Sequence, residues 1–319
     1  MKPALIIGVT GQDGTLLADL LKSRGIDYAG INTQGLVDPE GRVIQSGSLT
    51  DPHFIRHVIQ SSPPSRVFYL AAHHHSSQDA DLSNDADLWK LSLDVQVLGL
   101  VNVLDALRLH APEARLFYAA SSHIFDAPAD SPQNENTPMI PNNVYGATKI
   151  MGIEACRYFQ RQHGVFASAG ILYNHESVHR KGKFLSQKII RGALDIKYGR
   201  AKKLVLGDLA AEVDWGYAPD YVDAMTRILD LPQPGHYVIA TGESHAVREF
   251  VSLAFENLDL DYNNSVMEDP SIIRKCNTRL IGDSSKLRRE TGWSPSLTFP
   301  EMVRQLTLQT QQRPPYANE

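Results

Sequence analysis

Tyr145 and Lys149 stand four residues apart in the stretch Val144-Tyr-Gly-Ala-Thr-Lys149. On a helix that spacing puts both side chains on one face. A lysine ammonium beside a phenol favours the phenolate, and one opposite charge at contact range lowers a pKa by ~1–3 units. A phenol tuned in that way can exchange a proton with an alcohol near neutral pH. The plainer alternative is a tyrosine buried in a helix and a lysine in solvent. Upstream, Ala120-Ser-Ser-His123 sets two hydroxyls and an imidazole just after the apolar run Arg115-Leu-Phe-Tyr-Ala119. Open parallel sheets bind ligands outside the carboxyl ends of their strands. Ser121, Ser122 and His123 are therefore candidates for chemistry, or else a polar cap on the next turn.

Those residues need a scaffold, and the N-terminus supplies its first piece. In Leu5-Ile-Ile-Gly-Val-Thr-Gly-Gln-Asp-Gly-Thr-Leu-Leu17 an apolar run ends at Gly8, and glycines recur at Gly11 and Gly14. Leu16, Leu17, Leu20 and Leu21 then follow at helical spacing. This reads as strand, tight turn and helix N-terminus, where a missing Cβ lets a diphosphate approach unpaired N–H groups. Further apolar runs over Ile26–Ile31, Arg42–Gly47, Arg66–Leu70, Arg115–Ala119 and Gly164–Leu172 predict strands. A helix is expected from about Ser48-Leu-Thr-Asp51 to Gln60, with its N-cap in that turn. A longer one is expected from about Asp87 to His110, its apolar face formed by Leu88, Leu91, Val95, Leu98, Val101 and Leu104. The second half predicts shorter strands near Leu204–Gly207 and His236–Ala240. It also predicts helices starting near Asp220 and Val247 and a last one around Phe299 to Thr310.

Composition narrows the class. The chain has 319 residues, enough for a sizeable core, and a net charge of -5 from 31 basic and 36 acidic residues. A balance that close carries no nucleic-acid footprint. No apolar run approaches the ~20 residues that span a bilayer, and no signal peptide fits before the first strand, so a cytoplasmic location is expected. Cys156 and Cys276 are isolated thiols, as suits a reducing compartment. His73, His74 and His75 are adjacent, but consecutive side chains diverge and no second ligand cluster has metal spacing, so no metal is expected. Lys181, Lys183, Lys188 and Arg191 form either one wall of a diphosphate pocket or a solvated basic face.

Together the glycine turn, the serine at a strand end and the Tyr-xxx-Lys helix resemble the extended short-chain dehydrogenase/reductase family. More narrowly, the chain is similar to its GDP-mannose 4,6-dehydratase branch. The shared stretches are Gly8-Val-Thr-Gly-Gln-Asp-Gly14, Val144–Lys149, Gly170-Ile-Leu-Tyr-Asn-His-Glu-Ser177, Asp214-Trp-Gly216 with Asp220-Tyr-Val222, Ile239-Ala-Thr-Gly-Glu243 and Val247-Arg-Glu-Phe250. The resemblance implies an α/β fold: a Rossmann-type doubly wound parallel sheet over residues 1–172, with about 208–240 returning to it. A smaller mixed α/β C-terminal lobe over 173–319 would bind the substrate. Implied cofactor contacts are Gly8, Thr10, Gly11, Gln12, Asp13, Gly14, Asn32, Ser48, Leu49, Leu70, Ala71, Ala72, Tyr145, Lys149, Leu172, Asn174, His175 and Arg180. Implied substrate contacts are Ser122, Asn174, Lys183, Lys188, Gly207, Trp215 and Arg274.

The family's chemistry oxidises a sugar at carbon 4 and then loses water across carbons 5 and 6. In that scheme Tyr145 takes the hydroxyl proton, Lys149 orients the cofactor ribose and Ser121 holds the carbon 4 oxygen. The family places a glutamate base at the position of His123; an imidazole, with a reference pKa of ~6.5, can also take a proton. An enzyme that stops at carbon 4, as a reductase, dehydrogenase or epimerase, needs only Ser121, Tyr145 and Lys149. The family's arginines after the second strand are replaced by Thr33 and Gln34, which turns the expectation from NADP toward NAD. Another family arginine is Val213 here, which weakens the case for GDP as the nucleotide. The implied partners are a nucleotide-diphosphate sugar, GDP-linked by resemblance, and a second copy pairing through helices near 87–110 and 143–163.

Overall fold

The computed structural model describes residues 2–73, 84–125, 131–272 and 280–313. The first half alternates: β1 (Ala4–Ile7), α1 (Gln12–Ser23), β2 (Tyr28–Asn32), β3 (Gly35–Val37), β4 (Val43–Ser46), α2 (Pro52–Ser61) and β5 (Arg66–Tyr69). Next, α3 (Asp85–Leu93) passes through a π-helical turn (Asp94–Leu98) into α4 (Gly99–His110), followed by β6 (Arg115–Ala119), α5 (Val144–His163) and β7 (Phe166–Leu172). The second half holds β8 (Asn174–Glu176), α6 (Leu185–Lys197), β9 (Leu204–Leu206), β10 (Glu212–Val213), β11 (Trp215–Tyr217), α7 (Ala218–Asp230) and β12 (His236–Ile239). It closes with β13 (His245–Ala246), α8 (Val247–Glu256), β14 (Val266–Glu268), α9 (Ser285–Thr291) and α10 (Phe299–Gln312).

One sheet organises the chain, in the order β12-β7-β6-β5-β1-β2-β3-β4. From β12 to β2 every pair is parallel, and β3 and β4 add an antiparallel edge. Strands β1, β5 and β6 are almost wholly apolar because helices cover both of their faces. Helices α2, α4 and α5 pack on one face around Leu5, Ile7, Val67, Tyr69 and Tyr118. On the other face α1 and α7 cover Ile6, Phe68 and Phe117. A third core, of Ile189, Ile190, Trp215, Phe250, Phe255, Phe299 and Met302, joins α6, α8 and α10. Strand order runs outward in both directions from the β1–β5 pair. That makes the carboxyl ends of β1 and β5 the switch point at which such sheets bind ligands.

Two expectations change. The edge strand β3 was not foreseen; its three residues give too short an apolar run to stand out. The helix expected over 87–110 is interrupted by the π-helical turn, and its buried face rotates. Leu91 and Leu98 are exposed, whereas Ser92, Gln96, Val97, Leu100, Val103, Leu104 and Leu107 are buried. A π turn takes in an extra residue, so a 3.6-residue count started at Leu88 drifts off the core face.

Candidate active site

The helix that carries Tyr145 and Lys149 starts where it does because Asn143 caps it, its Oδ1 accepting from Gly146 N at 2.8 Å. A Cβ on Gly146 would stand 2.3 Å from His123 O, so only glycine lets α5 press against the turn after β6. That contact brings the two catalytic candidates together: the rings of His123 and Tyr145 meet edge to face, with centroids 5.9 Å apart. Ser121 Oγ accepts from His123 N at 3.3 Å, and both Ser121 and Ser122 are buried. Ser121, His123, Tyr145 and Lys149 thus share one place at the carboxyl end of β6.

Lys149 is not the solvated residue of the plain alternative. It is 1 % exposed, its Nζ donates to Ala119 O at 2.6 Å, and it lies 5.1 Å from the Tyr118 ring centroid and 5.3 Å from that of Tyr145. Burial drives its pKa down to about 7, against the pull of Asp13. Burial likewise pushes the Tyr145 phenol up to about 12, with Arg180 pulling it down and Asp13 adding to the rise. The expected lowering of the phenol is therefore absent. Desolvation of a buried pair exceeds their mutual help when the ammonium is turned to a carbonyl.

Of the residues expected around a dinucleotide, Gly8, Thr10 and Gly11 form the turn between β1 and α1, and Gln12, Asp13 and Gly14 the first turn of α1. Gly8 N donates to Ile31 O at 2.8 Å and Gly11 N to Gly8 O at 3.0 Å. Exposed Gly11 is the N-cap of α1 and has only Gly8 O, at 3.3 Å, near the place of its absent Cβ. The helix N-terminus is thereby open to an anion. Leu70, Ala71 and Ala72 follow β5, across the switch point from that turn. Asn32 ends β2 with its Oδ1 accepting from Gln34 N at 2.8 Å, and Ser48 and Leu49 lie in the loop after β4. Leu172, Asn174 and His175 follow at the end of β7 and in β8, with Asn174 exposed and His175 buried. Arg180 Nε is buried without a hydrogen-bond partner among the described residues, 3.6 Å from Glu176 Oε2. An open helix end, small residues across the switch point and an under-used guanidinium fit a dinucleotide diphosphate.

The residues expected to meet substrate are less uniform. Lys183 is exposed and Lys188 and Gly207 are half-buried, while Arg274 lies outside the described residues. Trp215 is corrected: its ring is buried between Phe250 and Phe299, with centroids 5.2 and 5.8 Å away, so it belongs to the lobe's core. An indole at a branch-specific motif reads as a contact in sequence; its apolar area is here spent on packing. His74, His75 and Cys276 lie outside the described residues. Among those described, no three His, Cys, Asp or Glu side chains group as metal ligands, and no helix is long and apolar enough to cross a membrane.

Two contributions escaped the sequence reading. Gln96, wholly buried in the π-helical turn, donates from its amide to Thr148 Oγ1, which in turn donates to Val144 O and Tyr145 O at 3.0 and 3.1 Å. It steadies the first turn of α5, and a lone glutamine within an apolar helix was its only signal. Asp214, in a motif that sequence could quote but not explain, accepts from Thr241 N and Oγ1, Gly242 N and Gly282 N at 2.6–3.2 Å. It ties β12 and the 280–284 segment to β11.

Comparison with known proteins identifies the family. Residues 5–306 match the family described as GDP-mannose 4,6 dehydratase. A GDP-mannose 4,6 dehydratase of Drosophila melanogaster is 34% identical over 338 residues, covering 95% of this chain and 84% of that one. The GDP-mannose 4,6-dehydratase of Vibrio cholerae is 31% identical over 97% of this chain and 93% of its own. Among solved structures, RMD from Pseudomonas aeruginosa complexed with NADPH superposes with a TM-score of 0.82 at 20% identity, covering 98% of this chain and 100% of that one. A Bacillus anthracis dTDP-glucose 4,6-dehydratase in complex with NAD gives 0.79 at 17%, covering 98% and 97%. The structures speak for the extended short-chain dehydrogenase/reductase fold, and the full-length sequence match is narrower: this chain belongs to the GDP-mannose 4,6-dehydratase family.

Proposed function

We propose that this protein is an NAD(P)-dependent enzyme that oxidises carbon 4 of a GDP-linked hexose and eliminates water across carbons 5 and 6. The observation that carries the reading is the meeting of Ser121, His123, Tyr145 and Lys149 at the end of β6. A bound NAD(P) supplies the hydride acceptor for carbon 4 and the donor for carbon 6. The glycine turn and Arg180 would hold its diphosphate. Asn32, with Thr33 and Gln34 where the family has arginines, places no fixed cation beside the adenosine ribose and favours NAD.

Tyr145 accepts the proton of the carbon 4 hydroxyl while Ser121 donates a hydrogen bond to the same oxygen. The Lys149 ammonium needs only a modest turn, from Ala119 O, to bring its charge to the phenol 5.3 Å away at ring-centroid distance. That approach lowers the pKa of the phenol. The carbon 4 ketone then acidifies the carbon 5 proton. His123, close enough to Tyr145 for both to serve adjacent sugar carbons, removes it. The same imidazolium returns the proton to the departing carbon 6 hydroxyl, so water leaves; once carbon 6 is reduced, carbon 5 takes back a proton through His123 and Tyr145 gives its own up to solvent, so no net proton is gained.

A second reading has its own observation: the base position holds His123 rather than a carboxylate, and without dehydration the chain is a carbon 4 reductase, dehydrogenase or epimerase. Mass spectrometry of the protein incubated with GDP-mannose and NAD or NADP separates the two. Loss of one water supports dehydration; His123→Ala should then stop it, and Tyr145→Phe should stop all turnover while cofactor still binds. Loss of two hydrogens with reduced cofactor accumulating establishes the second reading. An unchanged mass excludes both dehydration and net oxidation of GDP-mannose, and a shifted sugar retention time at that mass establishes epimerisation. We further read the apolar side chains exposed along α4 and α5, Leu109, Met151 and Tyr158, together with Leu98, as the surface on which a second copy packs.

A further inference from the structure

His175 lies on β8, buried, with both ring nitrogens on oxygen acceptors. Nδ1 stands 2.7 Å from Tyr173 O, and Nε2 stands 3.0 and 3.1 Å from the two oxygens of Asp13. A carbonyl has no proton to give, so Nδ1 carries one. The Asp13 carboxylate also receives Gln12 Nε2 at 3.2 Å, which favours its ionised form. Nε2 must then carry a proton too, and a ring with two N–H groups is an imidazolium. The ring stacks on Tyr221, with centroids 4.5 Å apart and planes 17° from parallel.

The position of the pair gives it a consequence. Asp13 is in the first turn of α1, the end that must receive a diphosphate, and an uncompensated carboxylate there repels an anion. Gln12 crosses the same gap, its Nε2 also donating to His175 O at 3.1 Å and its Oε1 accepting from Ser177 Oγ at 2.9 Å. The other groups at the pair are Arg180, with Glu176 against it, from the segment after β7, the Tyr221 ring from α7, and Tyr145 and Lys149 from α5, both of which feel Asp13.

We propose that His175 is a positioning residue whose imidazolium neutralises Asp13 and pins the phosphate-binding turn to β8, making that turn receptive to a dinucleotide diphosphate. The proposal rests on the reading of the glycine turn as a dinucleotide site. Burial opposes charge on both partners, but each holds the other ionised: His175 sits above its ordinary pKa and Asp13 below its own. The clamp is therefore intact at neutral pH and is lost as pH rises through the raised imidazole value, leaving Asp13 bare beside the diphosphate.

The test is titration of the whole protein with NADH and with NADPH, followed by cofactor fluorescence between pH 6.5 and 9.5. Wild-type affinity should fall about tenfold over that range, the effect of one neighbouring charge on an ionic site. His175→Gln should bind about tenfold more weakly at pH 6.5, with its pH dependence flattened. The double variant Asp13→Asn/His175→Gln should regain most of that loss. Because the single variant can also fail to fold, the imidazole ¹⁵N signals of wild-type His175 give an independent readout. A neutral ring at pH 7, or a pH profile identical in His175→Gln and wild type, overturns the proposal. A wild type that binds neither dinucleotide at any pH overturns the underlying reading instead.

Discussion

Two glycines three residues apart in the first turn should fail for different reasons when each becomes alanine. At Gly14 a Cβ would stand 2.2 Å from Gly8 O and 2.7 Å from both Val9 C and Val9 Cα. All three are backbone atoms of a turn fixed by hydrogen bonds to Ile31 O, so none can swing aside. Ordinary contact needs ~3.5 Å, so α1 must withdraw by about 1 Å and loosen Leu17 and Leu21, both 0% exposed. Overpacking costs ~1–3 kcal/mol; against backbone atoms we expect about 3 kcal/mol, a melting point lowered by ~4–5 °C for a chain of this length. Gly11 is the opposite case. Its φ of -75° and ψ of 170° suit any residue, and the nearest atom to its Cβ is Gly8 O at 3.3 Å. Gly11→Ala should therefore cost only the ~0.5–1 kcal/mol of a poorer N-cap. Its methyl, however, would stand in the approach of the proposed diphosphate, and loss of one charged hydrogen bond of ~1.5–3 kcal/mol should weaken NADH or NADPH binding about 10- to 100-fold. Thermal melts and cofactor titrations of the two variants check both claims. Wild-type melting in Gly14→Ala, or wild-type affinity in Gly11→Ala, would refute the reasoning.

Asp214→Ala should leave three backbone N–H groups and the Thr241 hydroxyl without their acceptor. At ~1–3 kcal/mol for each buried group left unpaired, and with water reaching some of them, a loss of about 3–5 kcal/mol in urea unfolding is expected. Asp214→Asn, which keeps one oxygen, should lose roughly half of that; an alanine variant as stable as wild type would show that the hub is not structural. The pairing surface is tested by light scattering at micromolar concentration. Wild type should give twice the chain mass and Leu98→Glu/Met151→Glu should give the single mass; a monomeric wild type would remove the surface.

Local periodicity made much of the sheet legible. β6 runs over Arg115–Ala119, the range that its apolar residues define, and α10 begins at Phe299 as its pattern requires. The rule that failed over 87–110 was also local. An unbroken α-helical count carries no sign of a π turn, and the turn exists because of partners far away in sequence: Tyr69 Oη donates to Val95 O, and Gln96 reaches Thr148. Trp215 failed for a related reason. Its motif marks it out, but only the packing of Phe250 and Phe299 decides whether an indole faces a ligand or a core.

The candidate site shows the sharper limit, because residue types reveal who is present but not who is dry. Two-body reasoning on Tyr145 and Lys149 counts the attraction of an ammonium for a phenolate and predicts a lowered phenol. Placing both against β6 adds a desolvation cost to each charged form, and that cost wins: the phenol goes to about 12 and the ammonium to about 7. Asp13 and His175 suffer the same burial and yet stay ionised, since their charges touch at 3.0 Å across 162 residues of sequence. The difference between the pairs is contact. Lys149, with a pKa about equal to neutral pH, needs little added free energy to change its charge, and its Nζ lies 5.3 Å from the centroid of the phenol ring. Such a pair is quiet while the ammonium stays on Ala119 O. The Asp13–His175 pair, already in contact, is instead held in its charged form by the contact itself.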